Sequence, residues 1–133
     1  MSVLHLCLLI VALLPFPWTM VAKLNRRYDN RTPRTYLAGL DGWRARAHAA
    51  HQNAWEALAL FTAAVVVAGQ SAASSGGAGN GVGTLWWLDA LAITFVLTRV
   101  LHGLLYLANW ASLRSLVWFV GLACVVSMFI VAH

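Results

Sequence analysis

The sequence predicts an all-α integral membrane protein, a four-helix bundle in which residues 1–133 form a single domain. Of its 133 residues, 61% are hydrophobic and only 10% are charged. A soluble domain carries charge on about a quarter of its residues. The apolar residues fall into four runs, each of roughly the 20 residues that a helix needs to cross the hydrocarbon core of a bilayer.

We predict the membrane spans at residues 3–22, 47–69, 84–108 and 113–132. Pro15 and Pro17 should kink the first span, because proline cannot donate a backbone hydrogen bond within a helix. The chain start has no basic segment, and no convincing cleavage site follows the first apolar run. We therefore expect this span to remain in the membrane rather than to be removed as a signal peptide. A polar loop rich in glycine and serine is predicted at residues 70–83.

Positive charge is concentrated in one connector. Seven of the nine Lys and Arg residues lie between residues 23 and 46. Such a run also occurs in nucleic-acid-binding proteins, but between apolar spans it indicates a cytoplasmic loop. We therefore expect no nucleic acid partner, and we expect both termini and the polar loop on the non-cytoplasmic side. Cys7 and Cys124 lie in apolar runs and are interpreted as packing residues, and no metal site is predicted.

Polar groups enter the second span at Asn53 and Glu56. At 100° per residue, Arg46, Ala49, Asn53 and Glu56 share one stripe of a helix. Glu56 lies roughly 15 Å further along the helix axis than Arg46, so its carboxylate reaches deep into an apolar run. A carboxylate at that depth needs a partner.

The third span supplies the expected partner, Arg99, which shares a narrow helical stripe with His102 and Tyr106. Because the spans alternate in direction, Arg99 and Glu56 are predicted at nearly the same depth and are expected to pair. Arg114 and Ser115 open the fourth span near the cytoplasmic end.

Two interpretations of these polar residues stay open at this point. They form either a cationic pocket that opens toward the cytoplasm or a set of interhelical contacts that only holds the bundle together. His51 alone fits a hydrogen-bonded packing residue as well as a ligand contact. The small residues of the second span permit close helix approach: Ala47, Ala49, Ala50, Ala54 and Ala57.

Three motifs in order along the second to fourth spans resemble the MAPEG family, the membrane-associated proteins of eicosanoid and glutathione metabolism. They are Arg46-Ala-x-x-Ala-His51-x-Asn53-x-x-Glu56, Arg99-Val-x-His102-x-x-x-Tyr106 and Leu113-Arg114-Ser115. The chain looks like a compact bacterial member, which would lie in the inner membrane. The resemblance implies a homotrimer of four-helix subunits that binds glutathione between neighbouring subunits near the cytoplasmic face.

The resemblance also implies a role for individual residues. Arg114 matches an arginine that stabilises the glutathione thiolate, and Ser115 matches the hydroxyl beside it; these are the predicted catalytic residues. Ala49 departs from the family's synthases, which often have arginine there. The glutathione contacts are expected at His51, Asn53, Glu56, Arg99, His102, Tyr106 and, at the basic end of the first helix, Arg27.

The expected function is a membrane-bound glutathione transferase or peroxidase acting on an apolar electrophile or a lipid hydroperoxide that arrives from the bilayer. Glutathione would be its co-substrate. The alternative is a catalytically silent subunit of a larger membrane complex. A small transporter is the third possibility, but a polar cluster at one end of four spans offers no continuous path across the membrane.

Overall fold

The computed structural model describes residues 2–25, 28–74 and 81–132. Its helices are α1 (Val3–Leu13), α2 (Pro15–Lys23), α3 (Pro33–Ala38), α4 (Gly42–Ser74), α5 (Gly81–Ala108) and α6 (Ala111–Val131). The described part of the chain contains no strand. Four helical stretches in it are long and apolar enough to cross a membrane: Val3–Lys23, Gly42–Ser71, Trp86–Ala108 and Ala111–Val131. The prediction of an all-helical fold with four candidate spans is confirmed.

The connectors contain more helix than the sequence pattern indicated. Helix α3 lies within the basic connector and begins at Pro33, since proline is favoured in the first turn of a helix. Helix α4 begins at Gly42 rather than near residue 47. Both ends of the predicted polar loop are also helical, up to Ser74 and again from Gly81, and the rest of that loop lies outside the described residues.

The two prolines divide the first span into α1 and α2 without ending it. Leu14, between the two helices, keeps a right-handed helical backbone with φ −60° and ψ −31°. The carbonyl oxygen of Pro15 accepts a hydrogen bond from Nδ1 of His51 on α4, at 2.9 Å. This bond attaches the proline-containing span to α4.

The main core lies between α1, α4, α5 and α6. Phe61 on α4 and Met128 on α6 are fully buried, and the ring of Phe61 stacks on that of Phe95 with centroids 4.5 Å apart. This stacking brings the middle of α4 against the middle of α5. The level of the two helices relative to each other is therefore defined by a contact between large, rigid side chains.

The alanines of α4 serve contacts inside one chain. Ala50 and Ala54 pack with Trp18 of α2, and Ala57 belongs to the main core. Ala47 is also buried. The small residues of α4 thus permit close helix approach, as the sequence predicted, and the buried ones do so within the chain. The homotrimer stays a prediction.

A tight turn returns the chain from α5 to α6. Asn109 has a positive φ of 61°, which asparagine tolerates better than most residues, and its N–H donates to the carbonyl of Tyr106 at 3.2 Å. Nη2 of Arg46 on α4 donates to the carbonyl of Leu107 at 3.3 Å. These bonds satisfy carbonyls at the end of α5 and attach the start of α4 to the turn.

Much of the outer surface is apolar. Leu97, Phe119 and Ile130 expose 64%, 62% and 70% of their surface, which is typical of side chains that face lipid. Trp86 and Trp110 are exposed near opposite ends of α5. Tryptophan is enriched at both membrane interfaces, so these positions agree with a helix that crosses the bilayer.

We predict that Gly103→Ala destabilises the protein. A Cβ at Gly103 would overlap the indole ring of Trp18, which lies buried between α2 and α5. Overpacking of this kind typically costs about 1–3 kcal/mol. Thermal unfolding in a mild detergent should show a lower Tm for Gly103→Ala and partial recovery when Trp18→Phe is added.

The matched control is Gly69→Ala, since a Cβ at this other helical glycine meets nothing within 4 Å. It should keep the parent Tm or raise it, because alanine favours helix over glycine. Equal Tm values for Gly103→Ala and the parent would contradict the close packing of Trp18.

Candidate functional site

Two adjoining cavities lie along α4, α5 and α6. The first, called the end cavity, has a volume of about 260 Å³ and is lined by Asn53, His102, Tyr106, Arg114, Ser115, Trp118 and Phe119. The second, called the central cavity, has a volume of about 120 Å³ and is lined by Asn53, Glu56, Ala57, Leu60, Phe95, Arg99, Trp118, Leu122 and Val125. Asn53 and Trp118 line both cavities, so the two adjoin, and together they are called the groove.

The structure thus brings together seven of the nine residues that the sequence analysis selected for the site. Helix α4 contributes Asn53 and Glu56, α5 contributes three residues, and α6 contributes Arg114 and Ser115. The α5 residues follow the predicted spacing of three and then four positions, which places them on one helical face. Their roles in binding and catalysis remain predictions.

Arg99 is the most buried charged residue of the groove, with only 5% of its surface exposed. Its Nη2 donates to the backbone carbonyl of Val117 on α6 at 3.3 Å, and the guanidinium carbon lies 5.2 Å from the ring centroid of Phe95. Its Nε is buried and has no hydrogen-bond partner among the described residues. Arg99 also lines the central cavity, so its positive charge lies beside that space.

The predicted ion pair between Glu56 and Arg99 is not formed in the structure. Both residues line the central cavity, so their depths match, but the Arg99 guanidinium turns toward the backbone of α6. The carboxylate of Glu56 is exposed and accepts a hydrogen bond from Nδ2 of Asn53 at 3.3 Å. Helical spacing predicted the depth of each group but not the direction in which the long arginine side chain extends.

Aromatic rings organise the end cavity. The guanidinium of Arg114 lies over the ring of Tyr106 at 4.2 Å, a cation–π contact that joins α6 to α5. The ring of His102 packs edge to face on Tyr106, with centroids 5.1 Å apart. The hydroxyl of Ser115, which also lines this cavity, donates to the carbonyl of Ala111 at 3.2 Å.

Two of the predicted site residues are not brought into the groove. His51 lies on the α2 side of α4, where it bonds the Pro15 carbonyl and its ring stacks on His48, with centroids 6.0 Å apart. This arrangement matches the packing alternative that the sequence left open. Arg27 lies outside the described residues.

The sequence analysis missed Trp118 and Gly121, both on α6. Trp118 lies four residues after Arg114, so helical spacing would have placed both on one face. Nothing in the sequence signals Gly121, which occupies an apolar run. A Cβ at Gly121 would overlap Nη2 of Arg99, so this glycine leaves the space in which the guanidinium lies.

The groove combines positive charge with an apolar wall. The groove is lined by two positive charges, on Arg99 and Arg114, and by one negative charge, on Glu56. It therefore favours an anionic ligand. Leu60 and Phe95 supply apolar surface in the central cavity. A ligand with anionic ends and an adjoining apolar reaction partner fits both properties.

We expect Glu56→Ala to change the free energy of unfolding by less than about 1 kcal/mol, because an exposed carboxylate without an ion pair contributes little. The measurement is thermal unfolding in detergent, with Glu56→Gln beside it to keep an acceptor for Asn53. Phe61→Ala is the control for sensitivity, since removing a fully buried aromatic ring costs about 3–5 kcal/mol. If Glu56→Ala lost as much stability as Phe61→Ala, the result would indicate that Glu56 and Arg99 do form an ion pair.

Comparison with known proteins agrees with the motifs of the groove. The model of the MAPEG family matches residues 3–133, essentially the whole chain. Searches of curated proteins and of solved structures gave no match. The four apolar helices and the family match together indicate an integral membrane protein. The chain belongs to the MAPEG family, which includes glutathione transferases and related proteins.

Proposed function

We propose that the protein is a membrane-bound glutathione transferase or peroxidase. The observation that carries the proposal is the groove in which Arg99 and Arg114 line adjoining cavities beside an apolar wall. Glutathione is a net anion, and it supplies a thiol nucleophile. The positive charges of Arg99 and Arg114 and the polar side chains that line the end cavity fit such a ligand. Family membership supports the same conclusion.

The proposed catalytic residues are Arg114 and Ser115. Free thiols have a pKa near ~8.5, and only the thiolate is a good nucleophile. A guanidinium within ~4–6 Å lowers the pKa of a neighbouring acid by roughly 1–3 units, so Arg114 would raise the thiolate fraction at neutral pH. Ser115 lies beside it. The proposed binding contacts are Asn53, Glu56, Arg99, His102 and Tyr106.

Two overall reactions are consistent with this site. With an aryl halide, the sulfur bonds to the ring carbon, halide leaves with the bonding electron pair, and the thiol proton goes to water. With a lipid hydroperoxide, two glutathione molecules become a disulfide, while the hydroperoxide is reduced to an alcohol and water. In both cases the apolar reactant would enter from the bilayer beside Trp118 and Leu60.

The proposal includes a homotrimer, which rests on the family and on the open side of the end cavity. A neighbouring subunit would supply the missing wall. We further propose the bacterial inner membrane, with the basic connector in the cytoplasm and both termini on the opposite side.

The second candidate is a catalytically silent subunit of a larger membrane complex. The observation that favours it is the hydrogen bond from Arg99 to the Val117 carbonyl, which links α5 to α6 without any ligand. In that case the groove would be a structural feature of the bundle, and Arg114 would serve only its contact with Tyr106.

We predict that glutathione becomes a thiolate on binding. Adding it to the purified protein in detergent or nanodiscs at neutral pH should produce the ultraviolet absorbance of a thiolate, because the groove favours the charged form of the thiol. S-Methyl glutathione, which has no ionisable thiol, is the control. Binding without a thiolate signal, or no binding at all, would favour the silent subunit.

We predict that Arg114→Ala slows conjugation more than it weakens glutathione binding. The loss of a 1–3 unit pKa shift corresponds to roughly 1.4–4 kcal/mol of thiolate stabilisation. Arg114→Lys should recover only part of the rate, since an ammonium lacks the planar fork of a guanidinium. The measurement is the pH dependence of conjugation with an apolar aryl halide. If the pH dependence of conjugation kept the same apparent pKa in Arg114→Ala, Arg114 would not be the residue that stabilises the thiolate.

A further inference from the structure

Gly121 of α6 lies directly against the guanidinium of Arg99. It is buried, and a Cβ built on it would overlap Nη2 of Arg99 and lie 3.0 Å from both Cζ of Arg99 and Oγ1 of Thr98. Real side chains almost never make such close contacts. The present position of the guanidinium therefore requires a residue without a side chain at position 121.

The neighbours of Arg99 restrict where the guanidinium could move. Val117 lies one turn before Gly121 on the same face of α6, and its carbonyl accepts from Nη2 of Arg99 at 3.3 Å. The hydroxyl of Thr98 donates to the carbonyl of Phe95 at 2.7 Å, so it is held in place beside the glycine. A side chain at position 121 would displace the guanidinium from α6, and the side open to it is the central cavity.

We propose that Gly121 is a positioning residue for glutathione binding, acting by leaving room for the guanidinium of Arg99 against α6, where it bonds Val117 and lines the central cavity. This inference rests on the proposed function. A displaced guanidinium would occupy part of a cavity of only about 120 Å³ and would lose its bond to Val117. Both effects would misplace the donors offered to an anionic group.

The first experiment measures glutathione binding by calorimetry in Gly121→Ala and in the parent. We expect the dissociation constant to rise roughly tenfold or more, the usual effect of losing one hydrogen bond to a charged group. The apparent pKa of thiolate formation should stay unchanged, because Arg114 is untouched. Gly69→Ala is the matched control and should bind like the parent, since a Cβ there meets nothing within 4 Å.

The second experiment is a double-mutant cycle with Arg99→Lys. A lysine ammonium lacks the planar group that meets the new Cβ, so adding Gly121→Ala to Arg99→Lys should have little further effect on binding. A purely structural glycine would instead give additive losses. Additive effects, or parent-like binding by Gly121→Ala, would overturn the positioning role.

Ligand-free unfolding separates failure of this inference from failure of the proposed function. Gly121→Ala should lower the Tm more when Arg99 is present than in an Arg99→Ala background, where the overlap with Nη2 is absent and only the close approach to Thr98 remains. If the parent itself binds no glutathione, the proposed function fails, while the cycle of Tm values still tests the contact. Equal Tm changes in both backgrounds would show that a side chain at position 121 does not meet the guanidinium of Arg99.

Discussion

The groove depends on one constraint, the burial of a guanidinium among apolar helices. An ionised side chain in that environment is costly, and such groups usually face a protein interior or a wet cavity. Arg99 is accommodated by the Val117 carbonyl, by the face of Phe95 and by the space at Gly121. Among the described residues none of these partners is a carboxylate, so the positive charge is not neutralised. That remaining charge is what makes the central cavity attractive to an anion.

The path of the chain explains how distant residues reach this guanidinium. The turn at Asn109 reverses direction within a few residues, so α6 runs back along α5 and carries Arg114 over Tyr106. Further along the same pair of helices, Gly121 meets Arg99. The stacked rings of Phe61 and Phe95 fix the position of α4 along α5. This places Asn53 beside both cavities. A backbone turn and a side-chain ring stack therefore assemble a site from three helices.

Hydrophobic run length and helical periodicity were sufficient to predict the four spans and the clustering of most polar residues, because both follow from the geometry of a single helix. They could not predict the direction in which a long side chain extends, so Glu56 and Arg99 were correctly placed in depth but wrongly paired. The same limit applies to His51, whose partner is the backbone carbonyl of Pro15. Gly121 was missed because its contribution is empty space, which leaves no chemical signal in a sequence.

The two arginines of the groove differ in surroundings, and this difference separates their proposed tasks. Arg99 is buried and bonded to backbone, so it is held in one place and suits the recognition of a fixed anionic group. Arg114 is half-buried and rests on an aromatic face, so it stays nearer the open end of the groove. Tyr106, whose ring packs against the guanidinium of Arg114, lies seven residues beyond Arg99, or roughly 10 Å along α5. An elongated anion can span that distance and contact both cations at once.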